Sequence, residues 1–438
     1  MAAIATAPGR AGIGVVRLSG RGVRDIAAAL LGNVPAARHA TLADFRDAQG
    51  ALIDQGIALF FPAPASYTGE DVLELQGHGG PVVMSLLLRR CVELGARHAE
   101  PGEFTRRAFL NDRLDLAQAE SVADLIEASS EEAARGAARS LAGEFSRQVE
   151  SIAEALLELR MHVEACIDFP EEEIDPDDRR AQDERLEGVR RELSALLANA
   201  EQGAVLREGL TVALIGPPNV GKSSLLNRLS GEDLAIVTPV AGTTRDYVRA
   251  TVSVEGVPIH LVDTAGLRET TDEVERIGID RAWQAARSAG AALFISERGV
   301  DAAEEARLLA RLPADIPVAR VTNKIDLTGE RPRAEAGARG PSLFISAKTG
   351  EGVASLKAWL LEVAGWKPHG EGIFVARERH LAALRAASER LQTASQSKAY
   401  ELVAEELRLA HDALGSITGA VRADDLLGAI FSRFCIGK

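Results

Sequence analysis

The stretch GPPNVGKS, residues 216–223, matches the pattern G-x-x-x-x-G-K-[ST] at every position. An apolar run at residues 211–215 precedes it and predicts a strand, and residues 224–229 follow it and predict a helix. In this context the pattern forms a phosphate-binding loop. Its glycines let the backbone curl so that successive N–H groups point at an anion, and the helix N-terminus adds positive charge. The sequence therefore predicts a P-loop nucleotide site.

Two further motifs extend the phosphate site. The sequence DTAG at residues 263–266 closes the apolar run 259–262, and GTT at residues 242–244 lies where a switch loop is expected. We expect Lys222 to reach the β- and γ-phosphates and the Ser223 hydroxyl to bind Mg²⁺. Asp263 is expected to support the Mg²⁺ shell, and the Gly266 N–H group to meet the γ-phosphate.

The base is specified further along the chain. NKID at residues 323–326 follows the apolar run 316–321, and SAK at residues 346–348 follows a predicted strand at 342–345. The Asp326 carboxylate is suited to accept hydrogen bonds from guanine N1–H and N2–H₂, whereas adenine offers no matching donors. Asn323 and Lys324 are expected to brace the loop and base. NKID alone is compatible with a plain turn, but the ordered set of motifs predicts a GTPase.

The residue after DTAG differs from that of many GTPases. A glutamine there orients the attacking water in many of these enzymes, but this chain has Leu267, which has no polar side-chain atom. Hydrolysis must therefore use another group or a partner. Most of the polar residues in 268–276 are expected to form a solvated switch, and Glu275 is the predicted water-positioning carboxylate.

Length and composition frame the rest of the chain. A chain of 438 residues with 46% apolar and 26% charged residues is typical of a globular protein of two to four domains. No apolar run approaches the ~20 residues of a membrane-spanning helix, and the N-terminal segment does not resemble a signal peptide. These features predict no membrane association. Three widely spaced cysteines argue against a disulfide framework, so we expect a cytoplasmic protein.

The net charge of −14 is unevenly distributed. Residues 1–113 carry a net charge of +1 and residues 371–438 a net charge of 0, so the interval between them carries −15. Such a chain is not expected to bind nucleic acid by bulk electrostatic attraction. Any contact with nucleic acid should be local, and the flanking segments are better suited to it than the centre.

Hydrophobic patterning predicts a multidomain α/β protein. Strand-like runs at 14–18, 55–61 and 71–75, separated by turn residues at 61–64 and 77–80, and a helix at 82–94 predict an α+β domain over residues 1–112. Apolar residues at steps of three and four then predict one continuous helical face: Leu141, Phe145, Val149, Ile152, Leu156, Leu159 and Val163. A similar stripe returns after the GTPase motifs. We therefore expect a helical bundle domain, 113–207 and 371–438, with a Ras-like P-loop domain inserted at 208–370.

Several segments outside the GTPase motifs carry a family resemblance. These are GEDVLELQGHGG (69–80), PGEFTRRAFLN (101–111), LDLAQAE (114–120), EELRLA (405–410) and the terminal FCIGK (434–438). Together with the GTPase motifs they closely resemble the bacterial tRNA modification GTPases of the MnmE family, also called TrmE. The resemblance extends over essentially the whole chain.

The resemblance implies a function in modifying C5 of the wobble uridine of certain tRNAs. It implies a homodimer joined through the N-terminal domain, and a heterotetramer with an FAD-dependent partner called MnmG or GidA. It also implies a one-carbon folate, 5-formyl-tetrahydrofolate, at the positions Arg17, Glu74, Arg113 and Lys438. Arg113 departs from relatives with Lys at that position, and the two cations differ in geometry. Cys435 matches a cysteine implicated in the modification chemistry.

The resemblance also accounts for the missing glutamine. Enzymes of this family resemble potassium-activated GTPases, in which K⁺ occupies the place of an arginine finger, and the matching K⁺ ligands are Asn219, Thr238, Val240 and Thr243. The matching Mg²⁺ ligands are Ser223 and Thr244, and Glu275 matches the water-positioning acid. The full set of predicted GTP contacts is Asn219, Val220, Gly221, Lys222, Ser223, Ser224, Thr238, Pro239, Val240, Ala241, Gly242, Thr243, Thr244, Asp263, Thr264, Ala265, Gly266, Asn323, Lys324, Asp326, Ser346, Ala347 and Lys348.

The main alternative is a ribosome-assembly GTPase that binds rRNA and catalyses no modification. Such proteins also carry an apolar residue after DTAG, but they usually add a basic RNA-binding module, and the flanking segments here are neutral. A membrane-associated switch GTPase is disfavoured because no basic amphipathic helix is evident.

Overall fold

The computed structural model describes residues 1–168, 176–230, 248–263, 284, 286–299, 301–367, 372–420, 424–432 and 434–437. The chain divides into two compact units. The first comprises Met1–Ala123, Leu141–Asp168 and Ala399–Lys438, and the second comprises Asp124–Ser140 and Phe169–Lys398. No helix among the residues described is both long and apolar enough to cross a membrane.

The first unit contains a five-stranded antiparallel sheet. Its strands are β1 (Ala2–Ile4), β2 (Ala11–Ser19), β3 (Thr41–Arg46), β4 (Leu52–Phe61) and β5 (Val72–Gly79), in the order β1-β2-β5-β4-β3. The helices beside it are α1 (Val23–Leu31), α2 (Pro81–Glu93) and α3 (Glu103–Leu110). The three predicted strands overlap β2, β4 and β5, and the helix predicted at 82–94 overlaps α2.

The predicted turn at residues 77–80 is wrong for its first three residues, because β5 continues through Gly79. A Cβ atom on Gly79 would lie 2.7 Å from the carbonyl oxygens of Ala11 and Ile13, and one on Gly77 would lie 2.4 Å from an Asp54 carboxylate oxygen. These glycines therefore permit close approach within the sheet rather than a turn.

Alternation along the strands divides the sheet into a core face and an open face. Val16 and Leu18 of β2 and Leu73 and Leu75 of β5 are buried in a cluster with side chains of α1 and α2. Arg17 lies on the opposite face and is paired in register with the Glu74 backbone. Two of the predicted folate positions are therefore on the open face.

Long helices complete both units. They are α4 (Leu116–Glu127), α5 (Glu131–Leu141), α6 (Glu144–Asp168), α7 (Pro176–Glu208), α12 (Glu378–Gln396), α13 (Tyr400–Thr418) and α14 (Asp424–Phe431). In the first unit α6 packs along α13, and in the second α7 packs along α12. The predicted apolar face is buried from Phe145 to Val163. It is not one continuous helix, because Leu141 ends α5 and Gly143, with φ of +82°, separates the two helices.

The second unit contains a seven-stranded sheet in the order β11-β12-β10-β9-β6-β8-β7. The strands are β6 (Leu210–Ile215), β7 (Val248–Val254), β8 (Val257–Asp263), β9 (Ala291–Ser296), β10 (Val318–Thr322), β11 (Arg333–Glu335) and β12 (Ser342–Phe344). The five inner strands are parallel, whereas β7 and β11 pair antiparallel at the edges. The remaining helices are α8 (Lys222–Ser230), α9 (Ala302–Leu309), α10 (Ile325–Thr328) and α11 (Val353–Val363).

A buried carboxylate ties together the helical segments that flank this sheet. The Asp124 side chain, 4% exposed, accepts hydrogen bonds of 2.8 Å from Arg207 at the end of α7 and from Arg377 just before α12. Arg207 lies in the last turn of α7, shortly before β6, and Arg377 follows the last helix of the sheet domain in the chain. Asp124 thus fixes the entry and exit of the inserted segment against each other.

The predicted multidomain α/β fold class is confirmed, with an α+β N-terminal part, long helices and a P-loop sheet domain. The division at residues 112, 207 and 370 stays a prediction.

Candidate nucleotide-binding site

Four of the predicted nucleotide motifs begin at the same end of the seven-stranded sheet. The phosphate-binding loop follows β6, DTAG begins at the last residue of β8, NKID follows β10 and SAK follows β12. These four strands run parallel, so their carboxyl ends lie on the same side. Ligands of open α/β sheets bind outside such ends.

Two glycines shape the phosphate-binding loop. Gly216 and Gly221 have φ angles of +145° and +94°, which L side chains rarely adopt. A Cβ atom on Gly216 would lie 2.0 Å from the Ile295 carbonyl oxygen, and one on Gly221 would lie 2.3 Å from the Asn323 amide nitrogen. Only glycine therefore fits at either position.

Lys222 lies at the first turn of α8 with its side chain over the loop. The residue is 6% exposed, and its ammonium group donates hydrogen bonds of 2.7 Å to the Gly216 and Pro217 carbonyls. Ser223 and Ser224 follow it and are exposed. The result is a cation, a hydroxyl and a helix N-terminus at one place, which is suited to a phosphate group and its metal ion.

Asn323 joins the phosphate-binding loop to the SAK loop at residues 346–348, which is the predicted base loop. Its side-chain NH₂ donates to the Val220 carbonyl at 2.9 Å, and its side-chain oxygen accepts from the Ala347 N–H group at 2.9 Å. Asn323 is 4% exposed. Loss of the amide would leave buried polar groups unpaired, at a cost of about 1–3 kcal/mol for each group.

Lys324 makes a second link to the phosphate-binding loop. Its ammonium group donates to the Asn219 carbonyl at 2.8 Å and forms an ion pair with Glu297, which follows β9. Both Asn219 and Lys324 have positive φ angles, +65° and +66°. Glu297 was not predicted as a site residue, and its only sequence signal is its position directly after an apolar strand.

Asp326 is oriented by the loop that follows β12. The Ser346 hydroxyl donates to one Asp326 carboxylate oxygen at 2.7 Å, and the same hydroxyl oxygen accepts from the Thr349 N–H group at 3.1 Å. Ser346 is fully buried, whereas Asp326 is half-buried. The carboxylate predicted to recognise guanine is therefore held in a fixed orientation beside the predicted base loop.

Some predicted site residues lie outside the described residues. These are Thr238, Pro239, Val240, Ala241, Gly242, Thr243, Thr244, Thr264, Ala265, Gly266, Glu275 and Lys438, together with the side chain of Asp263.

A second cluster, on the open face of the first unit, contains predicted folate residues. Arg17 donates to the Glu74 carboxylate at 2.9 Å. Its guanidinium carbon lies 5.6 Å from the Tyr67 ring centroid and 5.8 Å from that of Phe104. Phe104 is fully buried, whereas the Arg17 and Glu74 side chains are 20% and 17% exposed, so the charged pair is the part of this cluster that a polar ligand can reach.

The C-terminal tail lies beside the same cluster. Ile436 pairs with Pro101 in an isolated bridge, and the Cys435 carbonyl accepts from the Gly102 N–H group at 3.4 Å. Gly102 caps α3, which carries Phe104. Cys435 itself is exposed.

Arg113 also approaches this region. A Cβ atom added to Gly69 would lie 3.4 Å from the Arg113 Cγ atom. The structure thus brings Arg17, Glu74, Arg113 and Cys435 into the first unit, around residues 67–70 and α3.

An ion-pair network that sequence reasoning did not single out supports this cluster. Arg107 pairs with both Glu70 and Glu103, and Arg97 also pairs with Glu103. Burial acts to raise the pKa of Glu103, but hydrogen bonds from Arg97, the Glu100 amide and Arg107 outweigh it and lower the pKa to about 2. The signal was present in the sequence, since Glu70, Glu103 and Arg107 fall within the quoted segments GEDVLELQGHGG and PGEFTRRAFLN.

Comparison with known proteins identifies the family of the chain. The family described as "GTP-binding protein TrmE N-terminus" matches residues 1–113, and the family described as "MnmE helical domain" matches residues 116–435. The tRNA modification GTPase MnmE of Azoarcus sp. is 60% identical, covering 100% of this chain and 98% of that protein. The MnmE protein of Ralstonia nicotianae is 58% identical, covering 100% of this chain and 96% of that protein.

The chain belongs to the MnmE family of tRNA modification GTPases. Among solved structures, the G domain of the T. maritima FeoB iron transporter matches with 26% identity, covering 35% of this chain and 98% of that chain, with a TM-score of 0.26.

We predict that Asp326→Asn weakens GTP binding by about 100-fold, because hydrogen bonds to a charged acceptor contribute about 1.5–3 kcal/mol each. The amide presents a donor where xanthine carries a carbonyl, so XTP should bind the variant better than GTP does. Competition between the two nucleotides for the purified chain measures both effects. An unchanged preference for guanine would show that Asp326 does not read the base.

Proposed function

We propose that this member of the MnmE family is a potassium-activated GTPase that acts in C5 modification of the tRNA wobble uridine. We propose that it works in the cytoplasm as a homodimer, together with tRNA and an FAD-dependent MnmG partner. The observation that best supports the GTPase part is the linkage of the phosphate-binding loop to the base loops through Asn323. The names of the relatives support the tRNA part.

In the proposed reaction, water attacks the γ-phosphorus and the bond to the β-phosphate oxygen breaks. Lys222 and the loop N–H groups hold the triphosphate, so the charge that develops on its oxygens meets fixed donors. Ser223 and Thr244 would hold Mg²⁺, which would neutralise further charge on the phosphate oxygens. Glu275 orients the water, because Leu267 has no polar group with which to do so.

The proposed potassium site is centred on Asn219. This exposed residue lies in the phosphate-binding loop, and its carbonyl is held by Lys324 at 2.8 Å. The remaining proposed ligands are oxygens of Thr238, Val240 and Thr243. These residues would hold K⁺, which would supply the positive charge of an arginine finger, and such a finger contributes roughly 10³–10⁵ in rate.

We predict that GTP turnover is at least about tenfold faster in K⁺ than in Na⁺ at equal ionic strength, because the fixed cation neutralises transition-state charge. Asn219→Ala should remove the difference while nucleotide still binds. Steady-state phosphate release in the two salts, with and without the substitution, measures this. Equal wild-type rates in K⁺ and Na⁺ would contradict the potassium proposal.

The proposed one-carbon site is the cluster on the open face of the first unit. Glu74 is suited to accept hydrogen bonds from the pterin amine and amide, and the cations Arg17, Arg113 and Lys438 are suited to carboxylates of the ligand. Cys435 directly precedes Ile436, which pairs with Pro101. The exposed Cys435 thiol can therefore share this site. 5-formyl-tetrahydrofolate, or a related one-carbon folate, is the proposed ligand.

The proposed homodimer draws on the same sheet. Leu42 of β3 and Ile57 of β4 are opposite each other in register and are 70% and 39% exposed. Together they form an apolar area on the open face, and covering it with a second copy would remove that area from water.

We predict that deleting residues 435–438 abolishes wobble modification while basal GTP turnover stays within about twofold, because every nucleotide motif lies between Gly216 and Lys348. Cys435→Ser should have the same effect and keeps the tail contacts with Pro101 and Gly102. Assays of tRNA modification and phosphate release on both variants measure this. Loss of basal turnover in Cys435→Ser would refute the separation of the two sites.

Glu275→Ala is the variant to compare with the two tail variants, because it is expected to affect GTP hydrolysis first. GTP should still bind this variant, but hydrolysis should fall by about 100-fold or more, since a positioned water is used only in the transition state. Modification should then fail for lack of turnover. Normal hydrolysis by Glu275→Ala would remove this residue from the mechanism.

A further inference from the structure

The Arg228 guanidinium, which lies outside every nucleotide motif, donates hydrogen bonds to the base loop. Arg228 lies on α8, the helix that begins at Lys222, and is half-buried. Its Nε atom donates to the Ala347 carbonyl at 3.1 Å, and its Nη2 atom donates to the Lys348 carbonyl. One side chain thus binds two successive carbonyls of the SAK loop.

The SAK loop is therefore held by hydrogen bonds on two sides. On its inner side, the Ala347 N–H group is bound by Asn323, and Ser346 is bound to Asp326. On its outer side, the carbonyls of Ala347 and Lys348 are bound by Arg228. The inner contacts are made by residues that also read or brace the base. The outer contact is made by the helix whose first turn holds the phosphates.

The geometry depends on the shape of the arginine side chain. A guanidinium is planar and presents several N–H groups in a fixed fork, so it can bind two neighbouring carbonyls at once. A lysine ammonium is a single point of charge that rotates freely, and a glutamine side chain is shorter and uncharged. Neither replacement reproduces the double contact.

We propose that Arg228 is a positioning residue for guanine-nucleotide retention. It holds the SAK loop closed over the base and connects that loop to the phosphate-binding helix, so that movement at one end of the nucleotide is resisted at the other. The Arg228 side chain donates to carbonyls of the SAK loop, so its effect is on nucleotide release rather than on bond cleavage. This inference rests on the proposed binding of guanine nucleotides.

The chain offers a matched control at the opposite end of the strands, where β10 begins. Arg339 donates from Nε to the Ile316 carbonyl at 3.3 Å and from Nη2 to the Pro313 carbonyl at 2.6 Å. These carbonyls precede β10, whereas the nucleotide motif follows it. Arg339 therefore also caps two carbonyls of the same domain, but away from the site.

The test measures release of the fluorescent nucleotide mant-GDP from the full-length chain. The dissociation rate is recorded after addition of excess GDP for the wild type, Arg228→Gln, Arg228→Lys and Arg339→Gln, together with kcat and KM for GTP. For Arg228→Gln we expect dissociation faster by about three- to tenfold, the range that one or two hydrogen bonds supply. We expect KM to rise, kcat at saturating GTP to stay within about twofold, and Arg228→Lys to be intermediate.

Two outcomes would overturn the proposal. One is a dissociation rate for Arg228→Gln equal to that of the wild type. The other is an equal increase in Arg339→Gln, because the effect would then reflect general loosening of the domain. If Arg228→Gln does not fold, Arg228→Lys decides by the same comparison with Arg339→Gln. Absence of mant-GDP binding by the wild type would instead refute the underlying proposal of guanine-nucleotide binding.

Discussion

The nucleotide site depends on the side-chain amide of Asn323. This one group spans from the Val220 carbonyl in the phosphate-binding loop to the Ala347 N–H group in the base loop. Gly221 must lack a side chain for the amide to fit. Lys324 then reaches the Asn219 carbonyl, and Ser346 orients Asp326. The loops predicted to bind phosphate and base are therefore parts of one hydrogen-bonded assembly beyond the carboxyl ends of the parallel strands.

Much of this arrangement could be predicted from sequence because the relevant signals are local. Each apolar run that preceded a nucleotide motif overlaps an observed strand, and the helix predicted after residue 223 lies within α8. Parallel strands bring their carboxyl ends together, which explains why motifs that each follow such a strand lie at the same end of the sheet. The strand β3 and the extension of β5 through Gly79 were missed. Glycine is ambiguous between a turn and close backbone approach, and only the three-dimensional neighbours distinguish the two.

Other residues could not be assigned because their role depends on partners distant in sequence. Arg228 reads as an ordinary polar residue of a helix, and its carbonyl partners lie more than a hundred positions away. Glu297 follows an apolar strand without a recognised motif. Asp124 joins two arginines on either side of the inserted segment, and no spacing in the sequence indicates that pairing. Such contacts become visible only when the elements are assembled.

The measurement that tests the central claim most directly is mass spectrometry of wobble uridines in tRNA from cells with and without this gene. If the chain is a GTPase acting in tRNA modification, C5-substituted wobble uridines should be lost with the gene and restored by the wild-type copy. The Asn219→Ala copy should fail to restore them, because the proposed turnover requires the cation. Wobble uridines that keep their C5 substituents after loss of the gene would contradict the account.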